Sequence, residues 1–382
     1  MALGVAFAFA LSLGIATVAI PLLALASGYG AAAVGFLAAA SAATQLATRL
    51  ALPWLLGRFP DRSLIGVAAV LMLAAFGLLL VSTQLPAFLV AQAGQGAARA
   101  LFWTASQTHA LRGGGPPVRR LVDLNLAGNV GTLVGPALAG FLAAITPAAA
   151  VAGAGAAAVV AVVGTPLLAR FPPYDRRQSV GALRLLGRDG VDMASWANFV
   201  AGVWWSMVGS YIPVVLVTAG LGPVIIGWLV TLSEAAGAAM LLLLRRAGTT
   251  AIRPLVRGGA FVEMAVLAGI ALAPPLVAAY AALLLIGGMA AGAVTSLAPA
   301  LVSLVSAEHE QGDALAMSGT FRSVALLGAP ASVGALLSVT PLSVALVAVA
   351  AVAALPGLVV GRAKGHRAGP GNSSTLSGRH TR

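Results

Sequence analysis

The chain has 382 residues, of which 60% are hydrophobic and 8% charged. That much apolar surface cannot be hidden in a soluble core, so lipid is the solvent for most of the chain and a soluble globular protein is excluded. The formal net charge of +12 is large enough to suggest nucleic acid, but its placement along the chain assigns it to membrane orientation instead.

Apolar runs of about 20 residues recur from the N-terminus onward. Six lie near 2–26, 31–56, 63–82, 87–111, 121–144 and 148–168, and six more near 191–217, 223–244, 254–273, 276–304, 314–338 and 342–360. Runs of this length without alternation predict helices rather than barrel strands, because lipid forces each segment to satisfy its own backbone polar groups. The expected fold is an all-α polytopic membrane protein with twelve transmembrane helices in two pseudo-symmetric six-helix bundles. "ALA" at 24–26 resembles a signal-peptide cleavage site, but the first run is too long and lacks a basic leader, so it reads as a retained span.

Of the 22 basic residues, all but Arg49, Arg99 and Arg322 fall in alternate connections or in the tail: Arg58 and Arg62, Arg112 to Arg120, Arg170 to Arg188, Arg245 to Arg257, and Arg362 to Arg382. The intervening connections, such as "SGYG", "TQLP" and "TAGLG", carry none. This positive-inside pattern predicts both termini and the central loop in the cytoplasm of a multi-pass cell-membrane protein. The connection around Glu308, His309 and Glu310 is acidic, and acids weigh little in orientation. The absence of Cys excludes disulfides, thiolate metal sites and a cysteine nucleophile. The near-exclusive use of Arg over Lys is a compositional association with GC-rich bacterial genomes.

Residues 169–190, "ARFPPYDRRQSVGALRLLGRDG", form the longest polar interior stretch and divide six runs from six. The expected organisation is an N-terminal bundle over 1–168, a cytoplasmic linker over 169–190 containing a short surface helix, a C-terminal bundle over 191–360 and a disordered tail over 361–382. An internal repeat supports the division. "VGTLVGPALAG" at 130–140 and "LLGAPASVGA" at 326–335 place Pro330 and Gly334 each 194 residues beyond Pro136 and Gly140, and the same offset brings Gly94 onto Gly288. Two related halves place a binding site between them near the membrane midplane. In the fifth run, Gly128, Gly131 and Gly135 share one helical face and allow another backbone to approach, and Pro136 permits a bend. Such a seam serves static packing and a moving interface equally well.

Three charges lie deep in apolar runs. Left facing lipid, Arg99, Glu234 and Arg322 would together cost about 8 to 10 kcal/mol, so they are expected to face the interior. Gln92, Gln95 and Ser106 share the face of Arg99, and Gly227, Thr231, Gly237 and Ala238 flank Glu234. Arginine stays charged and attracts anions, whereas glutamate titrates; burial and a neighbouring arginine act on it in opposite senses, as proton coupling requires. A permanent Glu234 to Arg322 pair is the structural alternative. Glu263 reads as peripheral, Asp123 as a helix-start residue paired with Arg119 or Arg120, Arg49 as a snorkelling residue, and His109 as interfacial. Asn129 and Asn198 are placed to hydrogen-bond between helices or to a substrate. Trp204 and Trp205 point about 100° apart, so one is expected at an interior cavity and the other at lipid or core.

"GRFPDR", Gly57 to Arg62, has the spacing Gly-x-x-x-Asp-Arg and resembles the loop signature of the major facilitator superfamily, with Gly57, Asp61 and Arg62 at its motif positions. Gly131, Gly135 and Pro136 resemble the Gly-x-x-x-Gly-Pro signature of that superfamily's proton-driven exporters, and Pro21 with Gly35 and Phe36 is similar to the layout of its twelve-helix drug:proton antiporters. The chain departs from these patterns at Ser63, Leu64 and Ile65, where basic residues are usual, and at Gln92, which stands at the usual arginine position of the fourth helix. Arg99 lies on nearly the same face, about 10 Å along the axis. The resemblance implies that the first, fourth, seventh and tenth helices line a cavity, with Trp204 or Trp205 as an aromatic wall.

These expectations combine into a secondary active transporter, not an enzyme, that exports a small neutral or anionic amphiphile in exchange for protons by alternating access. Glu234, Arg99, Arg322, Gln92, Gln95, Asn198, Trp204 and Trp205 are the expected coupling and cavity residues. The expected partners are the substrate, protons and the bilayer, with no nucleic acid, cofactor or metal, and the chain is expected to be a monomer. The alternatives are a proton-coupled nutrient importer and a transporter-derived sensor that binds without flux.

Overall fold

A computed structural model describes residues 1–112, 117–173, 190–244, 249–306 and 311–360. The described residues form helices joined by short turns, with no strand among them. The helices are α1 (Ala2–Ala26), α2 (Ala31–Arg58), α3 (Asp61–Val81), α4 (Leu85–Arg112), α5 (Pro117–Ile145), α6 (Pro147–Gly164), α7 (Val191–Val208), α8 (Tyr211–Thr218), α9 (Pro223–Leu244), α10 (Ile252–Leu272), α11 (Val277–Val305), α12 (Gln311–Leu336), α13 (Leu342–Ala354) and α14 (Pro356–Val359). The expected linker helix and tail lie outside the described residues.

Eight of these helices are long and apolar enough to cross a membrane, α13 continued by α14 makes a ninth span over Leu342–Val359, and α7 with α8 makes a tenth as one span bent by 46°. The bend falls at Gly209 and Ser210, where the Ser210 hydroxyl donates to the Ser206 carbonyl at 2.6 Å. Pro213 in the first turn of α8 has no N–H to carry the α7 hydrogen-bond ladder onward. The helices α4 and α12 are just as long but fall short of that apolar standard, because α4 carries Gln92, Gln95, Arg99 and Gln107, and α12 carries Ser318, Thr320 and Arg322. One boundary differs from the hydropathy pattern. Proline suits a first helical turn, whose N–H groups have no partner anyway, so α5 begins at Pro117. Asp123 therefore sits more than one turn inside α5 and, among the described residues, forms no ion pair with Arg119 or Arg120.

Packing repeats between the first six helices and the rest. The helix α1 packs on α5, α2 and α3 on α4, and α3 on α6; correspondingly α7 packs on α12, α9 and α10 on α11, and α10 on α13. The two sets meet along α5–α9 and α2–α12. Small residues make these meetings possible. Gly135 lies against the backbone of Gly14 and Ile15 in α1, with the Ile15 nitrogen 2.5 Å from where a Cβ would stand. Pro136 leaves the Thr132 carbonyl without its usual helical partner, and that oxygen faces Gly14. Between the sets, the Pro136 carbonyl abuts Gly227, and the Pro330 carbonyl abuts Gly35 and accepts from the Tyr211 hydroxyl at 3.5 Å. These contacts sit near the ends of α2, α5, α9 and α12 that carry the uncharged connections, so the structure is closed at that face.

The seam also corrects the reading of the fifth run. Gly131 and Gly135 face α1, but Gly128 makes room for the Trp103 ring of α4, whose nearest carbon is 2.5 Å from a Cβ built there.

Candidate functional site: a central cavity

A cavity of about 500 Å³ lies between the two sets of helices, walled by α1, α2, α4, α5, α7, α9, α11 and α12. Its α4 wall is a helical stripe of Gln92, Arg99, Trp103 and Gln107, and its α5 wall is Asn125, Asn129 and Thr132. Across from them stand Trp205 on α7, Glu234 on α9, Thr295 on α11 and Arg322 on α12. Gln107 near the end of α4 and Asn125 near the start of α5 carry the cavity toward the face with the basic connections.

Five of the eight expected cavity residues line it: Gln92, Arg99, Trp205, Glu234 and Arg322. The other three do not. Gln95 is fully buried with neither amide atom hydrogen-bonded among the described residues, and Ser106 is likewise off the cavity. The stripe explains why: Trp103 and Gln107 turn about 40° and 80° to one side of Arg99, while Gln95 and Ser106 turn about 40° and 20° to the other. Asn198 donates to the Ser318 hydroxyl at 2.6 Å, tying α7 to α12. Trp204 is fully buried with its ring against Gly287 of α11 rather than against lipid.

The buried charges are arranged unevenly. Arg322 interacts electrostatically with Glu263, Glu234 and Arg49. No carboxylate oxygen approaches it within salt-bridge distance among the described residues, so the direct Glu234 to Arg322 pair is absent from this conformation. Arg49 donates to the Ser323 hydroxyl at 2.8 Å and so joins α2 to α12, which corrects its snorkelling assignment. Arg99 has no acidic or hydrogen-bonding partner among the described residues, and its Nε is buried without one. Glu263 is not peripheral: it is fully buried on the side of α10 that packs inward, and both carboxyl oxygens lack a hydrogen bond among the described residues.

A second cluster sits at the basic face. Asp61 begins α3, is 2% exposed, and its Oδ1 accepts from the Arg62 backbone N–H at 2.7 Å. His109 Nδ1 lies 3.2 Å from the same oxygen, and Arg112 lies 3.8 Å from Oδ2. The Arg62 guanidinium donates to the carbonyls of Pro166 and Leu168 at 3.1 and 3.2 Å. The loop residues therefore fasten α3 to the end of α4 and to the end of α6, and His109 is a buried partner of Asp61 rather than an interfacial side chain. Gly57 closes α2 just before this cluster.

Sequence reasoning missed Gln45, Trp103, Gln107 and Asn125 as cavity residues. The available signal was spacing, since Trp103 and Gln107 follow Arg99 at four and eight residues and Asn125 precedes Asn129 by four.

A family model described as Major Facilitator Superfamily matches residues 2–330. No curated protein matches the chain. Among solved structures, the nucleoside transporter NupG aligns with a TM-score of 0.72 at 11% identity, over 94% of this chain and 97% of that one. A POT family transporter in complex with a thioalcohol-conjugated peptide aligns with a TM-score of 0.75 at 10% identity, over 94% of each chain. A bacterial homologue of the human lysosomal transporter Spinster, inward-facing and occupied, aligns with a TM-score of 0.74 at 12% identity, over 94% of this chain and 96% of that one.

Proposed function

The chain belongs to the major facilitator superfamily, and from that premise we propose that it is a proton-coupled secondary transporter moving a small neutral or anionic amphiphile by alternating access. In this reading residues 1–168 and 191–360 are two bundles that rock about the cavity, α4 and α12 complete twelve crossings, and the chain works as a monomer in the cell membrane with both termini cytoplasmic. The observation that carries the proposal is one cavity walled by both sets of helices and holding Glu234 with Arg99 and Arg322. Small-residue contacts close one end of it, and such contacts let helices slide or separate without unpacking large side chains.

Export in exchange for protons is the direction that the Gly131, Gly135 and Pro136 signature supports. Uptake together with protons is the second reading, supported by the surplus positive charge of the cavity. The natural chain has no Cys, so a single Asn129→Cys variant in membrane vesicles tests alternating access directly. Labelling by a membrane-impermeant thiol reagent is expected from either face. Labelling from one face only, under every gradient applied, contradicts transport and leaves a sensor.

A further inference from the structure

We propose that the cavity takes a planar organic anion, with its carboxylate seated on Arg99 and its ring against Trp103. The inference rests on the transport reading and names the substrate class which that reading leaves open.

Charge distribution gives the first argument. Five ionisable side chains belong to this region: Arg49, Arg99 and Arg322, with Glu234 and Glu263. Arg49 is held by Ser323, and Arg322 has two acids in its field. Arg99 alone has neither an acid nor an acceptor among the described residues, although its side chain reaches the cavity. A guanidinium within a membrane span pairs with an opposite charge or with water, and here the open side is the cavity. A guanidinium also presents a planar fork that fits a carboxylate through two hydrogen bonds.

Shape gives the second argument. Trp103 stands one turn beyond Arg99 on the same stripe, and its ring is seated on Gly128 of α5, where any side chain would displace it. The result is a fixed flat wall beside a cation. The carboxamides of Gln92, Asn125 and Asn129 line the same side and supply both donors and acceptors for a second polar group. A cavity of about 500 Å³ matches a small organic molecule. A cationic ligand would meet Arg99 and Arg322 together, whereas an anion is opposed only by the acids, and a proton on Glu234 reduces that opposition.

The test uses the full chain in detergent and three probes of nearly equal size and different charge: phenylacetate, phenylacetamide and 2-phenylethylamine, each at millimolar concentration and neutral pH. Phenylacetate is expected to raise the thermal unfolding midpoint, and the amide and amine are not. Arg99→Gln is expected to weaken phenylacetate binding roughly tenfold or more, and Arg99→Lys less, since lysine keeps the charge without the fork. Because the three-probe comparison is made on the unmodified protein, it stands even if a variant fails to fold. Equal stabilisation by the amide, preference for the amine, silence of all three, or undiminished binding by folded Arg99→Gln would each overturn the inference. Failure of the transport reading looks different: phenylacetate would bind selectively yet never cross proteoliposomes containing the protein.

Discussion

Asp61 is buried at the start of α3, and its carboxylate is shared by its own helix's first turn, by His109 and by Arg112. Asp61→Asn keeps the size and one acceptor but removes the charge. It is expected to cost about 1 to 3 kcal/mol, read as a lower unfolding midpoint, and an unchanged midpoint would show that the cluster adds nothing to stability. The Gly57, Asp61 and Arg62 spacing was legible in the sequence, but the partners were not, because His109 and Arg112 come from a helix whose end could be placed only within a few residues. Glu263 shows a different limit. Its helical neighbours Val266, Leu267 and Ile270 suggested a lipid-facing site, yet all three are buried against protein. In a membrane protein both the lipid face and the packed face of a helix are apolar, so hydrophobicity alone does not say which way a residue points.

Among the helices, α5 contributes to the most critical contacts, touching α1 through Gly131 and Gly135 and α9 through Gly140 and the Pro136 carbonyl. A Cβ on Gly135 would press on α1 backbone, which cannot move aside like the tip of a side chain. Gly135→Ala is therefore expected to destabilise by roughly 1 to 3 kcal/mol. The control is Gly328→Ala on α12, where a Cβ meets nothing within 4 Å; alanine's better helix propensity predicts a gain of about 0.5 to 1 kcal/mol there. Equal midpoints for the two variants in thermal unfolding would contradict the close-packed seam. Gly227→Leu tests the interface between the two sets: it is expected to hold the closed end open, so that Asn129→Cys becomes labelled from that face and transport stops. The glycine pattern announced a close helix contact in the sequence. It did not reveal that one helix serves two partners and a tryptophan at different depths, since periodicity gives angle and not neighbour.

At the scale of the whole molecule, the repeat seen in sequence is real in packing but carries two offsets. Pro136 and Pro330 correspond at 194 residues, whereas Gly28 and Gly220, which both have positive φ in turns, and Gly35 and Gly227, which both face a proline carbonyl, correspond at 192. Gly288, pressed against Ser233, therefore matches Gly96, pressed against Ser41, and not Gly94. Two residues of difference between α4 and α5 hid this from a single-offset comparison. The arrangement of charge around the cavity also predicts a sign for proton linkage: removing the negative charge of Glu234 favours an anion at Arg99, so phenylacetate affinity should rise as pH falls and become insensitive to pH in Glu234→Gln. Such cooperative binding is what uptake together with protons, the second reading, requires, whereas affinity that falls on acidification would support export in exchange for protons. The central claim, that this cavity couples substrate to protons through Glu234, is tested most directly by following a preformed pH gradient in inside-out vesicles while neutral, anionic and cationic amphiphiles are added to the parent and to folded Glu234→Gln. The account predicts substrate-dependent proton movement in the parent and none in the variant; equal movement in both would contradict it.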